Sequence, residues 1–304
     1  MKKALALILT ASLLTGVLTA CGSSKAQTDA AETTTEEAAA EETAAAEETA
    51  DTDAQAETGD LQVITVAATA VPHAEILEAA KPILAEQGYD LQVTVFDDYV
   101  QPNEVVEAGD IDCNYFQHIP YLNSYNEERG THLVSVGEIH YEPIGIYAGT
   151  ESDLSNISDG ADIAIPNDTT NEARALLILQ DNGIITLKEG AGIDATINDI
   201  AENPHNINFV EMEAAQVSKV LSEVAFAVIN GNYALDAGLN AQTDALASET
   251  SDSLAAQTYV NVVVVKEGNE DNEGVKALVD VLKSDDIKKF IEETYEGAVV
   301  PFEG

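Results

Sequence analysis

The sequence predicts an α/β protein built as two successive sets of strands and helices. Three observations carry this: short β-branched runs recur, stretches with apolar residues at helical spacing separate them, and the alternation restarts near Ala161. Leu61 to Ala67 (LQVITVA) reads as a strand bounded by Gly59. Pro72 to Glu86 sets Ile76, Leu77, Ala80, Ile83 and Leu84 at helical spacing and stops at Gly88, the usual residue past a helix end. Leu91 to Phe96 (LQVTVF) is the next strand, so the chain opens on a parallel strand, helix, strand unit. A helix over 102–108, a strand over 113–116, a helix over 121–128 and strands over 132–136 and 144–147 complete the first set. The second has a strand over 161–165, a helix over 172–180 ending near Gly183, a strand over 208–211, a helix over 215–224 and a strand over 226–229. Tyr259 to Val265 (YVNVVVV) is the most β-prone run in the chain, and helices over 272–283 and 285–295 follow it. Two such sets suggest two lobes with a cleft between them, where small molecules commonly bind.

The 304 residues carry 55 Asp and Glu against 13 Lys and Arg, a formal net charge of -42. That excludes a nucleic-acid partner, because phosphate binding needs clustered cations. Met1-Lys2-Lys3 precedes a nearly continuous apolar run from Ala4 to Leu18, too short to span a bilayer and of signal-peptide type. It closes on Leu18-Thr19-Ala20-Cys21, which resembles the lipobox of bacterial lipoproteins. By that resemblance residues 1–20 are a signal peptide and Cys21 is the lipidated first mature residue, its acyl chains (palmitate among them) forming the membrane anchor. Gly22 to Gly59 is almost wholly Ala, Glu, Thr, Asp, Ser and Gln, with 11 acids and one lysine. It cannot bury enough apolar surface to order itself, so residues 21–59 are expected to be a disordered acidic tether. From Asp60 onward 44 acids face 10 bases, so the body is itself acidic at net -34. With Cys21 engaged by lipid, Cys113 has no intramolecular disulfide partner.

No GxSxG, GxGxxG, P-loop, HExxH or CxxC motif occurs. The histidines at 73, 118, 132, 140 and 205 are scattered, although three with an acid could still meet in a cleft as a zinc site. Arg129 sits in EERG among acids and a turn glycine, a solvated surface setting. Arg174 lies in DTTNEARALLILQ, close behind the N-cap candidates Asp168, Thr169 and Thr170, where a cation opposes the helix dipole. Its helical neighbours are Thr170, Asn171, Leu177 and Ile178, so no local carboxylate answers it. Two readings stay open. Arg174 is kept free beside helix-terminal N–H groups for an incoming small carboxylate, or it pairs with a distant Asp or Glu. Residues 112–122 (DCNYFQHIPYL) crowd aromatic, amide and imidazole groups at a strand end, either as pocket wall or as core. Ile229-Asn230-Gly231-Asn232-Tyr233 puts amides after an apolar strand, where α/β sheets present ligand contacts, and Asn261 interrupts YVNVVVV.

At FDDYVQPNEVVEAGDIDCNYFQHIPYL, PNDTTNEARALLILQDNGII and AVINGNYALDAGL, in that order, the sequence resembles the methionine-binding lipoprotein family of bacterial ABC importers, the NlpA-type lipoproteins. The likeness runs from about Ile64 to Phe302. It implies a two-lobed periplasmic-binding-protein-like fold with the ligand cleft between the lobes. Lobe I is then 60–143 plus 256–304 and lobe II is 144–255, with crossover strands near 144–147 and 259–265. The resemblance places Tyr99, Phe116, His118 and Tyr121 around the ligand's apolar chain, Arg174 on its α-carboxylate, and Asn230 and Asn261 on its polar backbone groups. Asn171, of the same TNEAR motif, is a contact or only a cap, and Cys113 is a small buried residue beside the pocket. The implied function is extracytoplasmic capture of methionine, D or L, and its delivery to a permease and ATPase from a lipid anchor on the cell membrane. No cofactor is implied, and no bond is made or broken. The competing expectation is a zinc receptor using His73, His118 and other histidines.

Overall fold

Two mixed sheets, with central strands buried on both faces, carry the fold in the computed structural model, which describes residues 61–250 and 254–304. The expected signal peptide, Cys21 and the tether lie outside the described residues. The chain runs β1 (Gln62–Ala68), α1 (Glu75–Glu86), β2 (Tyr89–Val95), α2 (Gln101–Ala108), β3 (Cys113–His118), α3 (Ile119–Arg129) and β4 (Leu133–Tyr141). It continues with β5 (Gly145–Ala148), β6 (Asp162–Pro166), α4 (Thr169–Asp181), the short β7 (Thr186–Leu187) and β8 (Ile200–Glu202), and β9 (Asn208–Met212). Then come α5 (Ala214–Val217), β10 (Phe226–Ile229), α6 (Gly231–Asp236), β11 (Ala245–Ser248) and α7 (Leu254–Thr258). The chain ends with β12 (Val260–Lys266), α8 (Glu273–Leu282), α9 (Asp285–Tyr295) and β13 (Val300–Pro301).

The six-stranded sheet has the order β13-β4-β12-β3-β1-β2, and the five-stranded sheet β11-β5-β10-β6-β9. β12 shows why the first holds. Its valines alternate, with Val263 and Val265 packing among Ile64, Leu77, Leu278 and Ile291 on one face. Val262 and Val264 pack among Val106, Phe116, Leu122 and Tyr125 on the other. An unbroken Val run suits a strand with no solvent face, and truncating one such residue costs about 1–4 kcal/mol through lost burial and the cavity left behind. Lobe II repeats the scheme: Ile146, Ile163, Ile165, Phe226 and Val228 face α4, while Tyr147, Ala164, Ala227 and Ile229 face α5 and α6.

The helix expected over 215–224 is shorter. α5 stops at Val217, and a tight 3-10 turn over Ser218–Val220 follows. The backbone of 221–225 is needed elsewhere: Gly149 N donates to Ala225 O at 3.0 Å and Thr150 N to Val224 O at 2.8 Å. A Cβ at Gly149 would lie 2.2 Å from Val224 O, so only glycine allows that approach.

The crossing geometry also differs from expectation. The proposed crossover strands are β5 and β12, and each belongs to a single sheet. Residues 142–144 carry the chain from β4 to β5, and the chain enters β12 from α7. Glu249 ties the two crossings together, accepting from Tyr141 Oη at 2.6 Å and from Ile144 N at 3.1 Å. Among the described residues no helix is long and apolar enough to cross a membrane.

Candidate functional site

The parallel strands of both lobes send their carboxyl ends toward one crevice, the place where open α/β sheets bind ligands. β3 ends on His118 and β10 leads into Asn230, while β6 leads into the first turn of α4. A tight cavity lies there, with about 20 Å³ open to the centre of a water molecule. Its lining includes all eight residues expected to bind ligand: Tyr99, Phe116, His118, Tyr121, Asn171, Arg174, Asn230 and Asn261. Gln117, Glu142, Gly231 and Asn232 also line it and were not anticipated as site residues.

The aromatic wall comes from lobe I. The Tyr99 ring lies 5.8 Å from Phe116 and 5.7 Å from Tyr121, and meets Tyr233 of lobe II at 4.9 Å. Phe116 and Tyr121 pack edge to face at 6.1 Å. His118 caps α3, its Nδ1 accepting from Tyr121 N at 3.1 Å, so its Nε2 carries the proton and donates to Asn171 Oδ1 at 3.2 Å. Burial, then the nearby Arg174, push this imidazole down to about 3, so it is neutral.

α4 begins at its cap Asp168, whose carboxylate accepts from Asn171 N at 3.1 Å and from Asn171 Nδ2 at 2.7 Å. Burial pushes Asp168 up to about 6, against the pull of these two bonds. Asn171 is therefore more than a cap neighbour: its Oδ1 also accepts from Asn230 Nδ2 at 2.7 Å. The Asn230 Oδ1 is buried without a hydrogen-bond partner among the described residues.

Arg174, the sixth residue of α4, is not free of internal partners, which corrects one of the two readings open at the sequence level. Its Nε donates to Glu249 Oε1 at 3.0 Å, its Nη2 to Glu249 Oε2 and to Glu142 O at 2.8 Å. The guanidinium also stacks on Tyr259 at 4.2 Å from the ring centroid. Burial works against its charge, but Glu249 outweighs that and holds the group above its ordinary value. The partner stands 75 residues away on the second crossing, beyond the reach of helical spacing. Arg174 nevertheless lines the cavity, and its two Nη1 protons lie outside the bonds to Glu249 and Glu142.

Glu142, on the first crossing, has different company. His140 Nε2 lies 2.7 Å and His73 Nε2 3.3 Å from its Oε1, and the backbone N–H of Asn232 donates to the same carboxylate. Burial raises its pKa, opposed by His73, Arg174 and the Asn232 bond. Burial also pushes His73 down to about 4 and His140 to about 3. α6 can approach because Gly231 has no side chain: a Cβ there would lie 2.7 Å from Glu142 Cβ. His73, His140 and Glu142 bring donor atoms within 4.8 Å of one another, whereas His118 is engaged at Asn171.

Hydrogen bonds close the crevice between lobes. Tyr99 Oη donates to Asn232 Oδ1 at 2.5 Å, Tyr233 Oη to Asp97 O at 3.1 Å and Thr169 Oγ1 to Glu128 Oε1 at 2.8 Å, beside the His118 to Asn171 bond.

Residues 64–303 match the model of the NlpA lipoprotein family. The methionine-binding lipoprotein MetQ of Bacillus subtilis is 41% identical over 250 residues, covering 81% of this chain and 90% of that protein. A crystallised lipoprotein from Ruminococcus gnavus is 67% identical and superposes with a TM-score of 0.79 over 80% of this chain and 100% of its own. A nutrient-binding protein from Burkholderia cenocepacia, solved with methionine bound, is 42% identical with a TM-score of 0.74, over 78% of this chain and 99% of its own. Sequence and two-lobed architecture agree, and the chain belongs to the NlpA lipoprotein family.

Proposed function

We propose that the chain is a lipid-anchored receptor that captures free methionine between its lobes, on the extracytoplasmic face of the cell membrane, and hands it to an ABC permease and ATPase without chemical change. The observation that carries this reading is the pairing, in one cavity, of an aromatic wall with unsatisfied polar capacity of both signs. The Nη1 protons of Arg174 suit an α-carboxylate, and the lone Asn230 Oδ1 with the Glu142 carboxylate suits an α-ammonium. Tyr99, Phe116 and Tyr121 suit a soft, unbranched thioether, which packs well against ring edges. Relatives that bind methionine support the same ligand.

Calorimetry of the full chain, with Cys21→Ser to prevent lipidation, tests this against the free amino acids. Methionine is expected to bind at about micromolar or tighter, roughly -8 kcal/mol. Silence toward methionine alongside binding of another amino acid overturns the ligand. Mass spectrometry of the native N-terminus tests the anchor, with a diacylglyceryl adduct on Cys21 expected.

Metal capture, the rival reading, draws on the His73, His140 and Glu142 cluster. Each of those side chains is already hydrogen-bonded, to Thr69, Asn261, Tyr115 or one another. A zinc titration followed by melting temperature separates the two: a zinc-dependent rise lost in His140→Ala favours the metal.

A further inference from the structure

Glu142 is a buried carboxylate in the cavity wall, 5% exposed, and the groups that hold it bring it no formal positive charge. The nearby cation, Arg174, is committed to Glu249 and touches Glu142 only at its backbone carbonyl. What grips the carboxylate is a pair of imidazoles, and the bonds on their far edges fix which nitrogen carries the proton. His73 Nε2 faces only acceptors, Glu142 Oε1 at 3.3 Å and Asn261 Oδ1 at 3.1 Å, while its Nδ1 meets the Thr69 hydroxyl at 2.8 Å. His140 Nε2 faces Glu142 Oε1 at 2.7 Å, and its Nδ1 meets the Tyr115 hydroxyl, whose proton burial holds in place. Both rings therefore carry Nε2–H and donate to Glu142, and in the neutral form that burial favours each Nδ1 accepts from the Thr69 or Tyr115 hydroxyl.

We propose that His73 and His140 are positioning residues for ligand charge: as donors they hold Glu142 in place with no cation of the protein's own on its carboxyl oxygens, which makes the site select ligands with a free α-ammonium group. This rests on the amino-acid reading above. A lysine, arginine or imidazolium at either place would neutralise the carboxylate and compete with the incoming cation. A neutral N–H satisfies its lone pairs and leaves its charge to the ligand. Burial keeps both rings neutral. His73 does a second service, because by occupying Asn261 Oδ1 it turns the Asn261 NH₂ group outward as a donor.

The test compares affinity for methionine with affinity for its deaminated analogue, 4-(methylthio)butanoate, by calorimetry on the full chain carrying Cys21→Ser. The wild type should prefer methionine by about 100-fold or more, since removing the ammonium leaves a buried charge unanswered. Glu142→Gln should collapse that ratio to within about tenfold. His73→Phe and His140→Phe should each shrink it by about tenfold while the analogue's own dissociation constant moves less than about threefold, and His140→Gln should recover most of the preference. A ratio untouched by both Phe variants but collapsed by Glu142→Gln overturns the positioning role and leaves the ligand reading standing. A ratio untouched by Glu142→Gln overturns the ligand reading's seat for the ammonium. Should the Phe variants not fold, long-range ¹⁵N spectra of the unsubstituted protein decide: Nε2–H at both rings supports the proposal, and Nδ1–H at either overturns it.

Discussion

The two crossings between the lobes each present one acid, Glu142 buried and Glu249 partly buried, and the protein treats them in opposite ways. Glu249 receives the full charge of Arg174 along with Tyr141 Oη and Ile144 N, so its site is electrically closed. Glu142 receives two neutral imidazoles and a backbone N–H, so its site is satisfied in hydrogen bonds yet open in charge. One carboxylate belongs to the architecture, and the other is available to whatever enters. In a body with only two arginines, placing the single buried one decides which is which.

Arg174→Ala should break this contrast with the largest effect. Glu249, partly buried, would lose its cation and Tyr259 its stacked guanidinium, costing about 3 kcal/mol in urea unfolding, and methionine affinity should fall by about 100-fold or more. Normal stability and a near-normal dissociation constant would return Arg174 to a dispensable role. Glu249→Gln and Glu142→Gln sharpen the comparison. The first should cost about 2–3 kcal/mol, since it leaves the buried Arg174 guanidinium without its counterion. The second should change stability by less than about 1 kcal/mol or improve it, because a buried charge without a cation is removed. Equal losses in both variants would erase the distinction.

The pH dependence comes next in size. His73, His118 and His140 sit at about 4, 3 and 3 in the fold against 6.5 for an ordinary imidazole. Below pH 6.5 the unfolded chain takes up protons that the native one refuses. The stability these rings contribute is therefore whole above 6.5 and drains away as pH falls toward 3. Asp168, raised to about 6, and Glu142, also raised, act in the opposite sense, the native form keeping protons that the unfolded one releases. His118→Asn should subtract one ring's share, flattening the slope of unfolding free energy by about 1.4 kcal/mol per pH unit between pH 4 and 6. An unchanged slope in urea titrations across that range would rule out His118 as a contributor. Asp168→Ala, which removes the cap of α4, should cost about 1 kcal/mol in the same unfolding measurement.

Much of the fold was legible in the sequence because its signals are local. β10 falls on the expected residues 226–229, an apolar run of four ending at an amide, and α9 on 285–295, where Ser284 caps and Asp285 and Asp286 occupy the first turn. The short β11, β13 and α6 went unseen because neighbours, not their own periodicity, create them. In the site, the eight anticipated residues meet at one cavity, through motif likeness more than spacing. Glu249 could not be found from Arg174 by helical neighbours, since the contact needs the return crossing to be in place. Glu142 left only a faint mark, one acid two residues after His140 at the end of a strand, although that alternation is what puts both side chains on the same face.

The ties across the crevice carry one more consequence. Tyr99 to Asn232, Tyr233 to Asp97, His118 to Asn171 and Thr169 to Glu128 are single polar contacts whose partners water can replace on parting, each worth only about 1 kcal/mol net. Ties this weak leave the balance between a closed and an open crevice within reach of one modest free-energy step, such as the binding of a small molecule in the cavity.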